Sequence, residues 1–131
     1  MTYTLSTSVN AAYDETVDAT REALAEQGFG ILTEIDLKAT LKEKLDVDVA
    51  PQVILGACRP QLAHEALGID PSIAAVLPCN VVVRSVDEFT TVVEAFDPDA
   101  MTRLAGDAFR DVAADARQRL DAVLETLGGD R

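Results

Sequence analysis

There is no tryptophan in this chain, and only four phenylalanines and two tyrosines, so whatever core it builds is aliphatic. Two cysteines in 131 residues are too few for a disulfide scaffold. Lysine is scarce: Lys38, Lys42 and Lys44 are the whole complement, and 11 basic residues face 23 acidic ones. General nucleic-acid binding needs a basic face, and this inventory cannot assemble one. The apolar stretches are too short and interrupted to span a bilayer, and the opening MTYTLSTSVN lacks the basic start and apolar run of a signal peptide. The expectation is a soluble cytoplasmic protein with neither nucleic acid nor membrane as partner. GxGxxG, P-loop, nucleophile-elbow and HExxH patterns are also missing, so nothing marks an ordinary nucleotide enzyme or hydrolase.

What is present is acid, spread along the chain rather than gathered in a tail. A dispersed net charge of −12, with aspartate exceeding glutamate and arginine exceeding lysine, keeps a protein hydrated in concentrated salt and makes it repel itself when salt is low. This reads as a protein of a salt-accumulating, archaeal-type cytoplasm. The length suits one domain over residues 1–131, and no repeat, linker or low-complexity segment divides it.

Periodicity lays out the elements. Residues 2–8 alternate as a first strand; Asn10 is placed to cap a helix carrying Tyr13, Val17, Thr20 and Leu24 on one stripe until Gly28. Residues 29–37 alternate again, with Phe29, Ile31, Thr33, Ile35 and Leu37 on one face and Glu34 and Asp36 on the other, followed by Lys38 and a short helix over 39–45. A third strand is expected over 51–58, a helix over 61–67, a short turn over 72–76, a fourth strand over 77–85 and a fifth over 89–96. The last two strands should form a hairpin. Asp97-Pro98-Asp99 then opens one long helix to Gly128-Gly129, with Arg103–Asp107 and Arg117–Asp121 spaced to pair across a turn. The order is β-α-β-β-β-β-α, an α+β fold: a single antiparallel five-stranded sheet, two long helices on one face, short helices inserted around the third strand. The uncovered face calls for an occupant, and a second copy related by a twofold axis is the simplest one, hence a homodimer.

Chemistry concentrates between Val53 and Val83. VILGACRP and LPCNVVV each place a cysteine beside a proline, and antiparallel pairing would bring Cys58 and Cys79 together, with the chain's one histidine, His64, between them in sequence. Cys58, His64 and Cys79 are soft donors suited to zinc or a cuprous ion, although their spacing matches no metal motif. Asn80 adds a polar group beside Cys79. Two uses stand: a non-enzymatic, dimeric small-ligand or interaction module, or a thiol-dependent redox enzyme or sulfur carrier using Cys58 and Cys79. Glu34, Asp36 and Lys38 form a secondary candidate row that could hold a cation or act on a substrate. No cofactor is specified by these residues.

GFGILTEIDLKATLKEKL, VILGACRP, LAHEAL and LPCNVVV, in this order, resemble the bacterial and archaeal family called domain of unknown function 302, over about residues 17–98. The resemblance implies a TATA-binding-protein-like α/β architecture, a name that carries no implication of DNA binding, and a homodimer. It supplies no activity or catalytic residue. Arg59 stands where the resembling pattern ILGACNP carries asparagine.

Overall fold

A computed structural model describes residues 2–128. Five strands, β1 (Thr4–Val9), β2 (Gly30–Asp36), β3 (Gln52–Cys58), β4 (Cys79–Asp87) and β5 (Thr90–Phe96), make one antiparallel sheet in the order β1-β5-β4-β3-β2. Between them run α1 (Tyr13–Glu26), α2 (Leu37–Leu45), α3 (Pro60–Ile69) and a 3-10 turn (Pro71–Val76). The α+β class and the short helices flanking the third strand are as expected, and β4 and β5 form the expected hairpin. Beyond β5 the helical pattern is broken rather than continuous: α4 (Asp99–Ala105) ends at Gly106, whose φ of 111° only glycine adopts readily, and a one-turn 3-10 segment leads into α5 (Arg110–Gly128). The break also separates Arg103 from Asp107. Arg103 instead donates to the Thr2 carbonyl, and Asp107 pairs with Arg110. Arg117–Asp121 does form, at 3.7 Å. Gly129 lies outside the described residues.

Burial follows from alternation. Val53, Leu55 and Ala57 of β3, Val81 and Val83 of β4, and Val93 and Ala95 of β5 point to one side, where Leu24 of α1 and Leu120, Val123 and Leu124 of α5 meet them. The buried stripe of α1 runs through Thr16, Thr20, Ala23 and Leu24, with Tyr13 and Val17 at its margin. Its threonines fit an apolar interface because each hydroxyl donates to the carbonyl four residues back, Thr16 to Ala12 and Thr20 to Thr16. The helix starts after Ala12 with no side-chain cap, so Asn10 does not cap it.

The polar row of β2 is reversed by an irregularity. Ile31 lies opposite Ala57 but Thr33 lies opposite Gly56, so one extra residue, Leu32, is accommodated between them. From there on the pleat is inverted. Thr33 and Ile35 join the open face, while Glu34 and Asp36 turn towards the helices.

The open face is short of side chain at one point for a steric reason. A Cβ on buried Gly56 would stand 2.1 Å from Thr33 Oγ1 and 2.9 Å from Pro78 Cγ, so Thr33 and the proline ring cross over the strand where only hydrogen fits. At the far corner, Asp97 is buried and accepts from the Asp99 amide at 2.9 Å, while Arg117 bridges it to Asp99 at 3.4 and 2.7 Å. This ties the exit of β5 to α5. A second apolar cluster, Ala66, Ile73, Met101, Phe109 and Val112, fills the space between α3, the 3-10 turn, α4 and α5.

Candidate functional site

Between the two clusters a small cavity remains at the end of β3 and β4. Cys58 and Cys79 close it from the sheet, Leu62 and Ala66 from α3, Met101 from α4 and Ala116 from α5. Its lining is almost wholly apolar, and about 30 Å³ is open to the centre of a water molecule. That is room for one small occupant.

The strands bring the cysteines here by register. Ala57 lies directly opposite Cys79, so Cys58 is one residue from its partner position, at the point where β3 gives way to α3. Alternation puts Cys79 with Val81 on the helix side and Cys58 with Gly56 on the other, and both residues border the cavity at the strand end. Both thiols are free, Cys79 buried and Cys58 partly so. Burial pushes the Cys79 thiol up to about 11, and the neighbouring Cys58 adds to the shift by repulsion.

Arg59 caps α3 with its backbone and sends its side chain back along the cavity rim. Its Nη1 donates to Gln61 Oε1 at 3.1 Å, but its Nε is buried with no acceptor, the one such side-chain atom among the described residues. Gly28 makes this approach possible: at φ +84°, a Cβ there would sit 3.2 Å from Arg59 Nε. A buried donor left without a partner costs about 1–3 kcal/mol, and this one lies against Gly28 beside the cavity.

The other candidates are dispersed. His64 is exposed on α3 and does not line the cavity, so Cys58, His64 and Cys79 are not gathered as a metal set; among the described residues no three His, Cys, Asp or Glu side chains are. Asn80 is exposed and lies opposite Gly56, on the far side of the sheet from Cys79. Glu34 forms an ion pair with Arg21 of α1, Asp36 accepts from the Ala39 amide at 2.9 Å to cap α2, and Lys38 donates to the Val49 carbonyl at 3.0 Å. The row is thus occupied with local structure. Glu34 and Asp36 line a shallow acidic groove with Tyr13, whose phenol is pushed up by burial and then by Asp36 and Asp14. Sequence reading missed Met101, because nothing local marks a methionine 22 residues beyond the second cysteine as its neighbour; α4 carries it there.

Residues 5–127 match the family described as domain of unknown function DUF302. The chain belongs to the DUF302 family. Among solved structures it is similar to the crystal structure of an uncharacterized conserved DUF302 protein from Bacillus stearothermophilus, at 30% identity and a TM-score of 0.88, covering 97% of this chain and 99% of that one. No curated protein matches it. The DUF302 fold is therefore common to both proteins, and the cavity is placed by the β3–β4 pairing and by the helices that follow each strand. No helix among the described residues is long and apolar enough to cross a membrane.

Proposed function

We propose that this DUF302 chain is a non-enzymatic binding module of a salt-rich cytoplasm, working as a homodimer and seating a small ligand in the cavity beside Cys58 and Cys79. The observation that carries the reading is the apolar cavity with one unpartnered donor, Arg59 Nε, at its rim. The thiol-enzyme alternative asks for a thiolate at neutral pH. Cys79, held near 11, is a neutral thiol there.

Dimerisation is supported by the open sheet face. Ile35, Ile54 and Val82 lie side by side across β2, β3 and β4, with Val92 in the next row, and none of the four belongs to the main core cluster of the described residues. Ile35 remains 44% exposed. The charges on this face are already compensated, since Glu94 takes Arg84 at 2.6 Å and the Thr4 hydroxyl at 2.9 Å. Apolar area with its charges internally paired is suited to an isologous contact.

One preparation tests both parts. In 1 M salt, where screening over about 3 Å removes like-charge repulsion, light scattering should give twice the 14.0 kDa chain mass, and Ile54→Glu should halve it. Maleimide labelling followed by mass spectrometry should leave Cys79 unmodified below pH 8 until the protein is unfolded. Rapid native labelling of Cys79 would transfer the assignment to thiol chemistry, and a wild-type monomer at micromolar concentration would remove the dimer.

A further inference from the structure

The sheet ends in two outer strands, and the chain guards only one of them. β2 is protected by its extra residue at Leu32 and by Glu34 and Asp36, the devices that keep an edge from pairing with another chain. β1 has none of them. It pairs with β5 in unbroken register over Thr4–Val9, contains no proline, and lies in a stretch, residues 2–13, without one charged side chain. We propose that the outer edge of β1 binds an extended segment of a partner protein, added as a sixth strand and carrying basic side chains at alternate positions. The site shares no residue with the cavity beside Cys79, so it stands apart from the reading above.

The register says which groups are offered. Asp97 donates its amide to the Tyr3 carbonyl, in step with the Thr4–Phe96 pairing, so the odd-numbered residues of β1 turn their amides and carbonyls towards β5. Thr4, Ser6 and Ser8 therefore turn theirs outward. Among the described residues β1 is paired on one side only, and Ser6 and Ser8 are exposed. The Thr2 carbonyl, just beyond this series, is taken by Arg103, which marks one end of the edge.

Charge chooses the partner. α5 packs on β1, and its Arg119 donates to the Gln27 carbonyl at the end of α1. Arg117, two residues back and so on the opposite side of the helix, binds Asp97, whose amide meets Tyr3 at the start of β1. Asp121 and Glu125 follow at four-residue spacing and share a groove with Asp99. Because Arg117 is divided among Asp97, Asp99 and Asp121, this flank stays acidic. A second copy would bring two such flanks together. An added strand with lysine or arginine at alternate positions sets them all on the helix side, against Asp121 and Glu125.

The test uses a fluorescent peptide alternating lysine and valine, titrated into the wild-type protein and followed by polarisation in 0.1 M and 1 M salt. Binding should persist at 1 M, where screening over about 3 Å removes loose ionic attraction. At 0.1 M the glutamate–valine counterpart should bind at least about tenfold more weakly, and Asp121→Asn with Glu125→Gln should cost about threefold. Hydrogen-bonded partners share a sheet face, and Thr4, Ser6 and Ser8 carry their side chains on the open face, so the valines are the residues that bond to β1. N-methylation of the valine amides should abolish binding, and N-methylation of the lysine amides should spare it. Ser6→Pro removes an outward amide without touching the β5 ladder and should weaken binding about tenfold, the size of one net hydrogen bond; Ser8→Pro repeats the test at a second outward position. Absence of binding, equal effects of the two methylations, or undiminished binding by folded Ser6→Pro or Ser8→Pro would overturn the site. Light scattering that gives four chain masses for wild type and two for Ser6→Pro would also overturn it, by giving the edge to a second copy.

Discussion

Truncating Phe109 to alanine should destabilise the protein by about 3–5 kcal/mol, the range for removing a buried phenylalanine from a packed core. Phe109 is 1% exposed and sits in the cluster with Ala66, Ile73, Met101 and Val112. That cluster joins α3, the 3-10 turn, α4 and α5 beside the cavity. A chain of 131 residues loses roughly 3–5 °C of melting temperature per kcal/mol, so the expected fall is about 10–25 °C. Phe89, at the hairpin turn and 74% exposed, is the control, and Phe89→Ala should stay within about 0.5 kcal/mol of wild type. A Phe109→Ala protein as stable as Phe89→Ala would show that the second cluster does not hold this end of the molecule together. It would also leave Met101 without a fixed position.

Stability should fall steeply in alkaline solution, and Cys79 should be the main cause. Its thiol is pushed from an ordinary 9.0 to about 11 in the folded protein, chiefly by burial and then by Cys58. A raised acid pKa means that the native state holds its proton longer than the unfolded state does. Below about pH 9 both states are protonated and the group contributes no slope. Between about 9 and 11 the unfolded chain releases the proton while the native one keeps it, so the unfolded state binds fewer protons and stability declines with pH. A difference of about two pH units corresponds to a loss of about 3 kcal/mol once pH exceeds the folded value. Tyr13, also raised, adds to the decline in the same direction at the upper end of this window. Urea unfolding at pH 8, 9, 10 and 11 measures it. Cys79→Ala should start lower at pH 8, because a buried side chain is lost, and then follow a flatter course. Parallel pH courses for the two proteins would mean that the Cys79 thiol is not the group that titrates.

Much of the path to the site was legible in residues because it depends on neighbours in sequence. The valine-rich run at 81–83, the isoleucine and leucine beside Val53 and the glycine at 28 announce strands and a helix stop through local conformational preference. Pairing of the two cysteine-bearing strands followed from their order, and the register places Cys79 opposite Ala57, next to Cys58. The stripe on α1 was legible only in part. Thr16 and Ala23 are as buried as Thr20 and Leu24, because small or self-satisfied side chains let α5 and the sheet come close, and a hydropathy pattern does not score them.

Three features were decided in three dimensions. The extra residue near Leu32 inverts the pleat, so Glu34 and Asp36, which alternation assigned to a wet face, are taken up by Arg21 and by the cap of α2. Alternation is a local rule, and one accommodated residue reverses everything after it. Gly106 interrupts a periodic stretch that reads as one helix, since continuity of spacing records a buried face without recording where the chain must bend to cover it. The third feature is the membership of the cavity. Sequence alone determined that two thiols, an aliphatic sheet and a strongly acidic surface belong to one small α+β chain. Only the tertiary structure sent His64 outward, left Arg59 Nε without an acceptor and carried Met101 from α4 to the two cysteines, because contacts between distant segments are set by how helices pack on a sheet.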